Sequence, residues 1–274
     1  MFKSSSLITS YNSIVVFTSK HKPVIVAFVY LILISMAEII AALYNPVPGI
    51  IIHIIILFAL ILHATLNIHE PIGKMLLSLA LAPMIRIASY SVPMVALRPF
   101  ATYILIYFPI AISSFFVCRS LKIKQSEVGF TVKLPAAQLC IALTGFIFGV
   151  MEYMVLHYPP MVSRLALSEI LLPAFVLTMT TGFVEEYVFR GTMQTACAEA
   201  LGRWNLIYIS LLFAIIHVIH RSVIDIILVF FIALFFAWCV KKTGSIFGVV
   251  LAHGITNSTL FLIAPFILKG FHLT

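Results

Sequence analysis

Residues 24–43 read VIVAFVYLILISMAEIIAAL, with only Ser35 and Glu38 outside the hydrophobic set. A bilayer's hydrocarbon core is about 30 Å thick and takes ~20 residues of α-helix, so this stretch has the length of one crossing. Lys20, His21 and Lys22 precede it, just before Pro23, and no small-residue cleavage site follows it. It therefore reads as a transmembrane helix and not as a removable signal peptide. The rest of the 274 residues repeats the pattern. Hydrophobic residues make up 62% and charged residues 9%, where soluble domains average ~45–50% and ~25%. Further spans are expected near 50–66, 75–96, 100–117, 136–156, 166–190, 204–220, 223–240 and 245–267, with a tight turn at Asn45–Gly49 and an interruption by Pro83 and Arg86 in the third. Nine crossings would use about 180 residues, close to the hydrophobic share. The reading is an all-α, polytopic transmembrane helix bundle of about 8–9 spans with its cavity inside the membrane. A soluble enzyme, a disordered chain and a fibrous protein are excluded.

The formal charge of +8 comes without a long basic run or a soluble basic domain. The cations lie between apolar segments, where they set orientation and meet anionic headgroups. No nucleic-acid partner is expected. With the N-terminus inside, inner segments hold eleven basic residues: Lys3, Lys20, Lys22, Lys74, Arg119, Lys122, Lys124, Lys133, Arg203, Lys241 and Lys242. Outer segments hold four, Arg98, Arg164, Arg221 and Lys269. This asymmetry predicts a multi-pass cell-membrane protein with a cytoplasmic N-terminus. Cys118, Cys140, Cys197 and Cys239 show no C-x-x-C spacing and read as small packing residues. A polar loop from Arg119 to Pro135 divides the chain into residues 1–135, transmembrane helices without a recognisable motif, and 136–274, a transmembrane core that holds the motifs.

An ionisable side chain in the bilayer costs ~2.5–3.5 kcal/mol on insertion scales, so it usually faces a cavity or a partner. Three clusters in the second region fit that description. In Phe183–Gly191, Glu186 and Arg190 stand at i,i+4 and can pair, while Glu185 points about 100° away round the helix. One carboxylate is thus held by a local cation and the other is free to work as a general base. The plainer alternative is an ion pair that finishes a helix near the interface. In the second cluster, His217 follows Phe213 and precedes His220; alone it reads equally as a hydrogen-bonded core histidine. In the third, His253 and Asn257 share a helix face beside Gly254, which allows close helix approach. Together the clusters supply what amide hydrolysis needs: a carboxylate to take a proton from water, an imidazole to share it, and donors for the oxyanion. No serine or cysteine stands in an evident nucleophile motif.

The ordered set Glu-Glu-x-x-x-Arg at 185–190, Phe-x-x-x-His at 213–217 and His-x-x-x-Asn at 253–257 resembles the CPBP family of intramembrane proteases, which includes the CAAX prenyl endopeptidases and bacteriocin-processing relatives. The resemblance covers roughly 168–265. It implies a metal-independent, glutamic-type endopeptidase without a cofactor. By position, Glu185 would activate water with help from His217, His253 and Asn257 would stabilise the oxyanion, and Glu186 and Arg190 would support the motif helix. The implied substrate is a membrane-tethered protein or peptide, lipidated or with a transmembrane tail, cut near its C-terminus.

Other readings stay open on the residues alone. Glu185, His217 and His253 could make a His₂Glu zinc site, though no H-E-x-x-H is present. A transporter also uses intramembrane Glu, His and Arg, but no repeated half and no matched pair of broken spans is visible. A non-catalytic scaffold or immunity protein would have no need for all three side chains. Glu38, Arg86 and Glu152 are buried charges that pair with one another or line a cavity, and His53 and His63 read as packing or interface residues.

Overall fold

The computed structural model describes residues 4–92 and 99–269, with side chains given for 22–92 and 101–269. Lys3, Arg98 and the end of the third expected span, 93–96, lie outside the described residues, as does the side chain of Lys20. Among the described residues there is no strand, and eight helical runs are long and apolar enough to cross a membrane.

Helix α1 (Ser4–Ile39) continues into a π-helical turn, Ile40–Tyr44, and is followed by α2 (Pro46–Leu66). The tight turn expected at Asn45–Gly49 is instead a helix start. Asn45 Oδ1 accepts from the Val47 N–H at 2.9 Å, and Pro46 takes the first helical position, where a missing N–H costs nothing. The third crossing is α3 (Pro71–Leu79) and α4 (Leu81–Ser91), joined at Ala80; it is the most buried of the eight. That placement explains how a span can hold Arg86. Next come α5 (Pro99–Ser120), the loop to residue 134, and α6 (Pro135–Leu156).

The sixth run, Leu167–His220, is 54 residues long. Unbroken, it would extend about 80 Å, far more than a bilayer core. It folds back at Gly202, whose φ of +52° is a left-handed value that side chains disfavour. The first arm holds α7 (Leu167–Leu177), two π-helical segments (Thr178–Glu185 and Tyr187–Met193) and α8 (Gln194–Leu201), so it continues well past the span end expected at 190. The second arm holds α9 (Asn205–Ile215) and a 3₁₀ turn, Ile216–His220. Asn205 Nδ2 ties the arms together by donating to Gln194 O at 2.7 Å. The chain closes with α10 (Val223–Thr243), α11 (Phe247–Ser258), a π-helical turn and the short α12 (Ala264–Ile267).

Bonds between turns sort the two ends of the bundle. At one end Thr195 donates to Glu127 O, Thr131 to Gly244 O and the Ile246 N–H to Gly129 O, and Lys74 lies 3.8 Å from Glu199. At the other, Arg221 donates to Ala42 O, the Met161 N–H to Phe261 O, and Tyr158 meets His220. This is the alternation that nine passes require once the long run is counted twice.

The core draws on both halves of the chain: Ile34, Leu60 and Leu76 pack in one cluster with Val188, Tyr208 and Leu212. Small residues set the closest contacts. A Cβ added at Gly145 would collide with the Ala252 carbonyl oxygen on α11, and one at Gly149 with the Thr256 carbonyl oxygen a turn further along. Gly254 lets α11 lie against Thr178 in the same way. All four cysteines are free thiols. Cys118, Cys197 and Cys239 are buried packing residues, whereas Cys140 is exposed on α6 and does not fill the core as expected.

Candidate active site

The motif glutamates lie where the first arm leaves α-helical geometry. Two π-helical segments flank Glu186, and such wide turns are frequent at functional sites. The sequence spacing is read on an ideal α-helix, so the widening is the first departure from it. Both carboxylates are deep: Glu185 is 7% exposed and Glu186 is fully buried.

Glu186 is the hub of a set of buried contacts. Its Oε1 accepts from Arg190 Nη1 at 3.0 Å and lies 2.9 Å from His253 Nδ1. Arg190 also reaches Ala233 O on α10 at 3.4 Å, and its guanidinium sits 4.2 Å from the centre of the Phe213 ring. The pair therefore sits in the core rather than finishing a helix at the interface, which sets aside the plainer reading of this cluster. With Nδ1 on Glu186, His253 turns Nε2 towards Glu185 Oε2, 3.9 Å away.

Glu185 faces the other way, into a cavity of about 310 Å³ lined by Arg86, Tyr103, Tyr107, His217 and His220 among others. The Tyr107 hydroxyl donates to Glu185 Oε1. A second, water-sized cavity of about 30 Å³ is lined by Glu152, His217, His253 and Asn257. His217 lines both. Its Nδ1 engages Phe213 O at 3.0 Å, which leaves Nε2 for the cavities. Asn257 donates to Thr181 Oγ1 at 2.8 Å, fixing α11 to the π-helical segment.

The structure thus brings together Glu185, His217, His253 and Asn257 around two adjoining spaces, with Glu186 and Arg190 behind them. Sequence reasoning missed Tyr107, Thr181 and Tyr158. A tyrosine in an apolar span carries no signal of its own, and Tyr107 is 78 residues from its partner. For Glu38, Arg86 and Glu152 sequence reasoning left two alternatives open, pairing with one another or lining a cavity. Glu38 and Arg86 pair, with Arg86 Nε 2.8 Å from Glu38, while Glu152 lines the small cavity. His53 lies 3.4 Å from Glu38 and is fully buried, so it belongs to that pair's surroundings rather than to an interface. His63 shares a hydrogen bond with Tyr30. No three His, Cys, Asp and Glu side chains among the described residues form a group that could hold a metal ion.

Outside the membrane-spanning segments, the Tyr158 phenol shares a 2.6 Å hydrogen bond with His220 Nδ1. Burial, then the Asp225 and Glu152 carboxylates, push the phenol's pKa up.

Residues 166–259, about a third of the chain, match the family model described as type II CAAX prenyl endopeptidase Rce1-like. This segment is similar to the Rce1-like family. It contains all seven motif residues, from Glu185 to Asn257, and excludes Glu38, Arg86, Tyr107 and Glu152. The Rce1-like match supports a CAAX-type membrane endopeptidase, hence a peptidase, in a bilayer and with a membrane-associated substrate. No curated protein and no solved structure matches the chain.

Proposed function

We propose that this chain is a glutamate-dependent intramembrane endopeptidase that cuts a lipidated or transmembrane-tailed protein or peptide near its C-terminus, without a metal. The observation that carries the reading is the shared cavity of Glu185 and His217, with His253 3.9 Å from Glu185 on its far side. Water held between Glu185 and His217 Nε2 gives a proton to the carboxylate and attacks the scissile carbonyl carbon. The oxyanion takes hydrogen bonds from His253 Nε2–H and the Asn257 amide. With Nδ1–H on Glu186, an Nε2–H makes this ring an imidazolium, and the Glu185 and Glu186 carboxylates together balance it and Arg190. Collapse of the intermediate breaks the C–N bond, and the proton held by Glu185 passes to the leaving amine.

Residues 136–274 form the protease core in this reading, and the N-terminus faces the cytoplasm. The clustering of Lys133 and Lys241 around one cavity at a single end of the bundle supports that orientation.

The test compares purified wild type with Glu185→Ala in liposomes, against lipidated and transmembrane-tailed peptides, with and without EDTA and 1,10-phenanthroline. Cleavage by wild type that persists with chelators and is lost in the variant is expected. Loss with chelator would restore the zinc reading, and cleavage by Glu185→Ala would overturn the role of Glu185.

A further inference from the structure

Arg86 sits outside the Rce1-like segment, on α4, yet it ends beside the candidate site. Its side chain is 6% exposed, and its Nε lies 2.8 Å from Glu38 on α1. Its Nη2 donates to the backbone carbonyl of Ile216, the first residue of the 3₁₀ turn that carries His217 and His220. A carbonyl oxygen has two lone pairs, so it can accept this bond in addition to a helical one. The same turn is tied down at its other end, where Arg221 Nε donates to Ala42 O at 2.9 Å. Both ties run to the N-terminal helices.

A buried ion pair contributes little net stability, because apolar residues of similar volume pack as well and need no desolvation. In a membrane the charges are costlier still. Stability alone therefore does not account for a guanidinium aimed at one carbonyl next to a motif histidine.

We infer that Arg86, held by Glu38, is a positioning residue that fixes the Ile216–His220 turn and with it the direction of the His217 ring. The inference rests on the peptidase reading only for its kinetic test. Arg86 also lines the 310 Å³ cavity, so the competing assignment is direct contact with substrate, and kinetics separate the two.

The experiment uses the full chain in liposomes. Arg86→Met alone would leave Glu38 buried without its cation and is expected to misfold. The double variant Arg86→Met, Glu38→Met removes both charges at similar volume and keeps the fold. Positioning predicts that kcat of the double variant falls about 10- to 100-fold with KM unchanged, since a small misplacement near the chemistry has that effect. Arg86→Lys, a point charge that can reach the carbonyl or Glu38 but lacks the planar fork, restores part of the rate. A raised KM with unchanged kcat would mean substrate contact and overturn the inference. Unchanged kinetics would overturn it too, leaving a structural pair only.

Hydrogen–deuterium exchange over 213–221 provides a readout independent of any substrate. Loss of a hydrogen bond to a charged donor should speed exchange there about tenfold or more, with residues 228–240 of α10 unaffected. Exchange that stays at the wild-type rate would overturn the inference even if no peptide in the panel is cleaved. Absence of cleavage by wild type, by contrast, counts against the peptidase reading alone.

Discussion

Two buried clusters in this molecule use the same three residue types. In one, Glu186 takes Arg190 and His253; in the other, Glu38 takes Arg86 with His53 alongside. The first joins residues four apart to a histidine on α11, and that histidine opens on the small cavity. The second spans α1, α2 and α4 and keeps its histidine fully buried; both arginines reach a backbone carbonyl, Arg190 that of Ala233 within α10 and Arg86 that of Ile216 in the turn that carries His217. The same ionic chemistry thus holds a histidine ring at a cavity in one place and, in the positioning role we propose for Arg86, anchors a turn in the other. What distinguishes them is the third contact, not the ion pair.

Breaking the first pair is expected to do the most damage. Arg190→Met leaves Glu186 buried without its arginine, at a cost of about 3–5 kcal/mol, and with His253 as its remaining partner. Thermal unfolding in detergent should show a large loss, together with loss of cleavage. Glu185→Gln, one residue earlier, should lower kcat by about 10²–10⁴ with little change in unfolding temperature, because it is not part of the pair. If the two variants lost stability equally, the division of labour between the adjacent glutamates would be wrong.

A smaller effect is expected at Tyr107. Phenylalanine there removes the bond to Glu185 and keeps the ring. A hydrogen bond to a charged group is worth ~1.5–3 kcal/mol, so kcat should fall roughly 10- to 100-fold. Comparable rates for Tyr107→Phe and wild type would show that Glu185 is oriented without it.

The difference between the clusters also marks what could be read from the sequence. Glu186–Arg190 is a local i,i+4 pair, and the pairing survives the widening of the helix around it. His253 and Asn257 were legible for the same reason, on one face of α11 beside Gly254. Glu38–Arg86 is 48 residues apart and depends on which spans become neighbours, which no helical period states. Tyr107 is hidden likewise. The span lengths were readable because bilayer thickness fixes them. The run past 190 was not, since the polar residues from Arg190 to Glu199 are buried or face the bundle's end and look like a loop in one dimension. One signal was present and unused: Gly145 and Gly149 form a G-x-x-x-G in α6, and α11 packs on it.

The smallest expected effect lies outside both clusters, at the Tyr158–His220 bond. Tyr158→Phe removes a single hydrogen bond between partly buried groups, worth about 0.5–1.5 kcal/mol, and leaves both carboxylate hubs intact. Its pH behaviour has a definite sign. The folded-state phenol has a raised pKa, so below the ordinary tyrosine value near 10 both folded and unfolded chains keep the proton and pH has no effect through this group. Above it the unfolded chain ionises first, and stability falls as pH rises towards the folded pKa. Wild type and Tyr158→Phe should therefore differ by a constant amount at neutral pH and converge in alkaline unfolding experiments. A difference that grew with alkaline pH would mean that the phenolate is favoured in the folded chain, and that the carboxylates at Asp225 and Glu152 do not act on it as their placement requires.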